Sequence, residues 1–410
     1  MKSQKILNDP VYGFITIPSE LIFTIIDHPF FQRLRRIKQL GLTDFVYPGA
    51  LHTRFHHAIG AMHLMSITLD NLRIKGTEIS EDEYEAALIA ILLHDIGHGP
   101  FSHALEYSLL RGVPHEELSL LIIELLNQEL SGKLDLVLRI FKNQYERKFF
   151  NQLVSSQLDI DRLDYLQRDC FFTGVSEGTI GADRIIKMMD VKNDQIVIEE
   201  KGIYSIENFL SARRLMYWQV YLHKTTVSAE KMLINLIQRA KQLRQSGTQF
   251  HITEAFDFFL QNDFSLNDFK KDLSLLKLFL EMDDFDIWGA IKLWKNHPDY
   301  VLRNISQMFL TRNLFKINLR SEPFSIEEVS ESRLKTMKKL HISEEDMDFF
   351  FSHGKVSNYG YLTTDRINIL TKKGDVIDVA IAADLPNIQV MSKIVEKHYI
   401  CKAKSLNLIY

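Results

Sequence analysis

Eight apolar residues, Ala86–Leu93, run directly into His94-Asp95, so an imidazole and a carboxylate stand at the end of a segment that has to be buried. A carboxylate left unpaired there carries a heavy desolvation cost, which a divalent cation relieves. Imidazole plus carboxylate is a normal ligand set for borderline metals. One His-Asp dipeptide alone is better read as a hydrogen-bonded buried pair than as a metal site. Two more polar stretches sharpen the case: Thr53-Arg54-Phe55-His56-His57-Ala58 and Asp159-Ile160-Asp161-Arg162-Leu163-Asp164-Tyr165-Leu166-Gln167-Arg168-Asp169. Two histidines and two aspartates drawn from such stretches hold a metal and leave positions for water or substrate, as a catalytic site requires.

Helical patterning dominates the first three quarters of the chain. Ser80-Glu81-Asp82-Glu83 has the form of a capping box, Tyr84–His94 follows as a buried helix, and Gly97, Gly99 and Pro100 end it. A helix is expected from Pro29 to Gly41, carrying Arg33, Arg35, Arg36 and Lys38. Others are expected over Glu116–Glu129, Ile206–His223, Ala229–Gln245 and Ile287–Lys295. Strand signals are few: Gln195–Glu200, then Arg366–Leu370 and Val376–Ala380 flanking the turn Lys372-Lys373-Gly374-Asp375. The expectation is a mainly α protein with a helical body over 1–320 and a small α+β C-terminal domain over 321–410.

The net charge of −4 argues against a surface built for nucleic-acid phosphates. Cys170 and Cys401 fit a reducing compartment and form no C-x-x-C pattern. The opening residues lack the apolar stretch of a signal peptide, and no apolar run approaches the roughly 20 residues that span a bilayer. A cytoplasmic protein without a membrane partner is expected.

His-Asp-Ile-Gly-His-Gly-Pro-Phe-Ser-His at 94–103 and Asp-Ile-Asp-Arg-Leu-Asp-Tyr-Leu-Gln-Arg-Asp-Cys at 159–170 are specific signatures, well beyond a bare His-Asp. With them the chain resembles the HD superfamily of metal phosphohydrolases. Within it the closer similarity is to the deoxynucleoside triphosphate triphosphohydrolases, the branch in which a vertebrate enzyme joins a sterile-alpha-motif domain to an HD domain. No sterile-alpha-motif domain precedes the HD region of this sequence. The resemblance is dense over about residues 5–225 and thin afterwards.

It implies an HD helical bundle with one divalent metal on His57, His94, Asp95 and Asp161. Iron, manganese, zinc, nickel and cobalt all suit that set, and magnesium would accompany the nucleotide. It implies that His103 protonates the departing 5′ oxygen with Glu106 holding its ring, Glu standing where the family often has Asp. His98 and His115 would complete a wall near the α-phosphate. Arg54, Arg162 and Arg213 would grip the triphosphate, Arg162 replacing a familiar Lys with a planar fork. Gln39, Leu40, Tyr165, Asp169 and Tyr221 would surround the deoxyribose, while Leu222 stands where the vertebrate enzyme has a polar residue near the base. Lys5, Asp27, Gln32 and Arg35 resemble the pocket that takes a guanine-nucleotide activator between subunits, which implies a dimeric or tetrameric homo-oligomer.

Plainer roles exist for many of these residues. His103, His115, Arg213 and Arg214 also fit helix surfaces, and Arg33, Arg35 and Arg36 a solvated helix face. Leu40 and Tyr221 also fit a core, and Asp27 also fits a cap for the helix opening at Pro29. The activity implied is hydrolysis of deoxynucleoside triphosphates to deoxynucleoside and triphosphate under nucleotide control. The alternatives are HD chemistry on a monophosphate, alarmone or cyclic nucleotide, or a nucleotide sensor that does not cut. A nucleic-acid-binding role ranks third.

Overall fold

The computed structural model describes residues 5–106, 108–110, 112–358, 361, 364–383 and 394–405, with the side chains of Ser102 and His103 outside the description. The chain opens with a hairpin, β1 (Ile6–Asp9) and β2 (Gly13–Thr16), followed by α1 (Glu20–Asp27) and the short α2 (Pro29–Gln32). The body is α3 (Arg54–Ile74), α4 (Glu81–Leu93), α5 (Ser102–Leu105), α6 (His115–Glu129), α7 (Asp135–Phe141), α8 (Phe149–Val154) and α9 (Ile160–Thr173). Then come α10 (Ala182–Met188), β3 (Met189–Lys192), β4 (Gln195–Glu199), α11 (Ile203–Met216) and α12 (Lys224–Gln245). A second helical group follows: α13 (Glu254–Gln261), α14 (Leu266–Lys271), α15 (Leu273–Phe279), α16 (Asp284–Trp294) and α17 (Tyr300–Leu310). The last elements are β5 (Lys316–Arg320), α18 (Ile326–Leu340), α19 (Met347–Phe350), β6 (Phe351–Asn358), β7 (Asn368–Leu370), β8 (Val376–Asp378), α20 (Val379–Ala382) and β9 (Val395–Lys402).

The molecule is mainly α. Helix α4 is buried from Ala86 through Leu93 and packs against α3, which also packs against α9. Its N-terminus carries the expected capping box: Ser80 Oγ accepts from Glu83 N at 3.2 Å, and the Glu83 carboxylate accepts from Ser80 N at 2.8 Å. Strands from both sides of residue 320 share sheets. Strand β4 pairs with β3 antiparallel and with β7 in parallel, β7–β8 form the expected hairpin, and β9 lies between β5 and β6. No helix among the described residues is long and apolar enough to cross a membrane.

The helix expected from Pro29 to Gly41 stops much sooner, at Gln32, and a tighter turn covers Arg33–Arg36. Tertiary bonding decides this. Arg33 turns into the core, where its Nε donates to Met282 O at 2.7 Å, its Nη1 donates to His98 O at 2.9 Å, and its guanidinium lies over the Phe279 ring. A solvated face therefore describes Arg35 and Arg36 but not Arg33. The helix expected over Ile206–His223 ends as α11 at Met216 and widens into a π turn over Tyr217–Tyr221.

Candidate active site and metal centre

Three helix ends converge. Thr53 caps α3 and puts His57 one turn inside it, His94 caps the C-terminal end of α4, and Asp159 caps α9 so that Asp161 lies in its first turn. His57 Nε2 stands 3.3 Å from His94 Nε2 and 3.0 Å from Asp161 Oδ1. His94 Nε2 is 3.3 Å from both Asp161 Oδ1 and Asp95 Oδ1. Ligands about 2.1 Å from one ion stand roughly 3.0–3.4 Å apart along an octahedral or tetrahedral edge. The spacing fits a divalent cation.

The protonation pattern fits it too. His57 Nδ1 bonds Asp164 Oδ2 at 2.7 Å and His94 Nδ1 bonds Ile91 O at 2.6 Å. Each ring so held turns its Nε2 to the centre. Burial alone would lower the His57 pKa, but its bonds to Asp161 and Asp164 lift it to about 10. Asp161, despite burial, is held well below the usual carboxylate range by His57 and His94. The pocket favours positive charge at its middle, and His57, His94, Asp95 and Asp161 are the side chains that would hold a cation there.

Asp95 is gripped from three sides. Arg54 Nη1 donates to its Oδ2 at 2.5 Å, and His98 Nε2 and His94 Nε2 lie 3.2 and 3.3 Å from its Oδ1. The His98 ring stacks on that of His115, with centroids 3.7 Å apart. Gly97 permits this wall: a Cβ there would lie 2.3 Å from His115 O and 2.3 Å from Ser119 N. Ser119 Oγ locks the contact, accepting from Gly97 N at 2.9 Å and donating to His94 O at 2.8 Å. Glu106 accepts from His115 N at 3.3 Å and faces its Nδ1 at 3.7 Å. His103 belongs to α5, and its side chain lies outside the described residues.

At the other end of α9 is a polar shelf. Asp169 is buried, with Oδ1 2.7 Å from His52 Nε2 and Oδ2 accepting from Tyr221 OH at 2.7 Å. Tyr165 meets Tyr221 edge-on. Burial pushes the Tyr165 phenol up and Tyr217 adds to this, while the positive charges of Arg162 and Arg213 pull it down. Gln39 donates its backbone N–H to His52 O at 3.0 Å, and Leu40 packs against the core. Arg213 is only 4% exposed, and its Nε and Nη1 have no partner among the described residues. The same holds for Arg54 Nε, Arg162 Nε and Gln39 Oε1. Arg162 Nη1 binds Asp159. Arg213 is thus no helix-surface charge.

Comparison with known proteins agrees with this geometry. The HD domain family matches residues 54–169 and the HD associated region matches 180–265. The crystal structure of a phosphohydrolase from Bacteroides thetaiotaomicron is 50% identical, with TM-score 0.94, covering 98% of this chain and 100% of that one. The chain belongs to the HD phosphohydrolases. Bacillus subtilis YwfO, an uncharacterised protein, is 36% identical over 77% of this chain and 72% of its own. The Dictyostelium discoideum homologue of SAMHD1, named a deoxynucleoside triphosphate triphosphohydrolase, is 33% identical over 62% of this chain and 53% of its own.

In this HD phosphohydrolase the residues matched to a regulatory pocket lie near the N-terminus. Lys5 stands over the Phe23 ring, Gln32 Oε1 accepts from Arg35 Nε at 2.8 Å, and the Arg35 guanidinium lies 3.5 Å from the Phe55 centroid. Asp27 is exposed at the end of α1. It does not cap α2, because His28 does, its Nδ1 accepting from Phe30 N at 3.3 Å. Sequence reasoning gave no role to His52, Asp164 or Arg168. The signal for the last two was their spacing, three and seven residues after Asp161 on α9; for His52 there was none beyond its place next to Thr53.

Proposed function

We propose that this HD phosphohydrolase cleaves deoxynucleoside triphosphates to the deoxynucleoside and intact triphosphate. The observation that carries the reading is Arg213, a buried guanidinium whose Nε and Nη1 find no partner among the described residues. Buried donors left unpaired are costly, and a triphosphate, with roughly three to four negative charges, satisfies them bidentately. Arg54 and Arg162 add donors on the side of Asp95 and Asp161.

A divalent cation on His57, His94, Asp95 and Asp161 supplies Lewis-acid polarisation of a phosphoryl oxygen and a lowered pKa for water. Water attacks the α-phosphorus, the bond to the 5′ oxygen breaks, and a proton reaches that oxygen. His103 is the proposed proton donor, with Glu106 as its support and with His98 and His115 as the adjoining wall. Asp169 and Gln39 would take the 3′-hydroxyl, while Tyr165, Tyr221 and Leu40 would close the space that a 2′-hydroxyl needs. A guanine nucleotide held by Lys5, Asp27, Gln32 and Arg35 between subunits would act as activator.

A panel of deoxynucleoside and ribonucleoside triphosphates, monophosphates and cyclic nucleotides, singly and in pairs with manganese, tests the reading by product chromatography. Deoxynucleoside with triphosphate supports it; turnover confined to cyclic or monophosphate substrates would reassign the site. Retention of full pairwise activation by the Gln32→Ala, Arg35→Ala variant would remove the regulatory part.

A further inference from the structure

A chain of buried charges runs from the N-terminal hairpin to the metal cluster. Asp9, the last residue of β1, accepts from Val11 N at 2.9 Å and Tyr12 N at 3.0 Å, which fixes the hairpin turn. Its Oδ2 accepts from Arg168 Nη1 at 2.7 Å. The other edge of the Arg168 guanidinium donates to both oxygens of Asp164, Nε to Oδ2 and Nη2 to Oδ1, each at 2.9 Å. Asp164 Oδ2 in turn bonds His57 Nδ1 at 2.7 Å. Arg168 and Asp164 are fully buried.

Helix α3 is shaped to admit this array. Gly60, three residues after His57, faces it so closely that a Cβ would lie 1.9 Å from Arg168 Nη2 and 2.2 Å from Asp164 Oδ1. Isolated charges at this depth would be strongly unfavourable. Here each guanidinium edge meets a carboxylate, and each carboxylate oxygen used is committed.

We infer that Asp9 is a positioning residue for the metal centre: through Arg168 and Asp164 it fixes the His57 ring, so cation affinity is coupled to docking of the β1–β2 hairpin. Asp164 sets the tautomer and direction of His57, and Arg168 sets Asp164. Arg168 has Asp9 as its opposing carboxylate. Loss of the Asp9 charge leaves the guanidinium to draw on Asp164 alone and weakens the hold on His57. Coupling of this kind is reciprocal, so a bound cation must steady the hairpin. The inference rests on the cation-holding reading of the four-ligand cluster, but it is independent of which nucleotide is cut.

The test is manganese affinity, measured by competition with a chelator, in the wild type, Asp164→Asn and Asp9→Asn, with folding checked by circular dichroism. Partners behind a metal ligand typically change affinity by about 10–100-fold, so Asp164→Asn should fall in that range and Asp9→Asn should weaken binding about three- to tenfold. A merely structural Asp9 would lower the melting temperature and leave affinity alone. Hydrogen exchange on the unmodified chain decides independently of any variant. Manganese should slow the amides of residues 6–16 more than those of the β7–β8 hairpin. Unchanged affinity in folded Asp9→Asn, or no selective protection of the hairpin, overturns the inference while the cation site stands. A wild type that takes up no manganese overturns both.

Discussion

The two halves of the site are opposite in what they lack. Around His57, His94, Asp95 and Asp161, two imidazole nitrogens and two carboxylates face one another at 3.0–3.3 Å and draw positive charge between them. At Arg213 Nε and Nη1, Arg162 Nε and Arg54 Nε, buried donors find no acceptor among the described residues. The first arrangement is costly until a cation enters, the second until an anion does. A metal and a polyphosphate are complementary to such a pair, and neither half alone would tell a phosphohydrolase from a structural metal site or an anion store.

The variants that probe this contrast are ranked by expected effect. Asp95→Ala removes an acceptor of the cation half and also the partner of Arg54. Metal content by mass spectrometry should drop to background, and turnover should fall by at least roughly a thousandfold. Arg213→Ala removes donors from the anion half. Metal content should stay at the wild-type level while kcat/KM falls roughly 100-fold, about 2.7 kcal/mol. Lost metal in that variant would show that the halves are not separable. Tyr221→Phe takes one bond from Asp169 and should raise KM a few-fold, consistent with about 1 kcal/mol for a neutral donor on a carboxylate, with metal content again unchanged.

Stability, rather than turnover, is the readout for Asp284, a buried carboxylate outside both halves that accepts from Lys38 N and Phe101 N. Burial, only partly offset by those bonds, pushes its carboxyl up to about 6. A carboxyl whose folded pKa lies above its unfolded value binds its proton more tightly when folded. Its contribution is therefore present below about pH 4 and is lost as pH rises toward 6. Denaturant titrations of wild type and Asp284→Asn should show the difference moving in favour of the variant over that window, by up to roughly 3 kcal/mol. A flat difference would mean that the two backbone donors neutralise the burial cost.

The cation half was open to reading from sequence because its residues combine rare chemistry with fixed spacing, as in His94-Asp95 at the end of an apolar run. The layer behind it was not. Asp164, Arg168 and His52 act by where α3, α9 and the hairpin meet, and that meeting is set by non-local packing such as the missing Cβ of Gly60. The segment after Pro29 failed as a helix for the same reason: Arg33 is claimed by Met282 O and His98 O, far away in sequence. The β7–β8 hairpin was legible from its turn residues. The pairing of β5 and β6 across β9 was not, since those strands find each other across long stretches of chain.

The most direct test of the account is hydrolysis of a deoxynucleoside triphosphate in ¹⁸O-labelled water, with mass analysis of the products. Attack at the α-phosphorus predicts one ¹⁸O in the released triphosphate and none in the deoxynucleoside. Label in the deoxynucleoside, or in a monophosphate released with pyrophosphate, would contradict it.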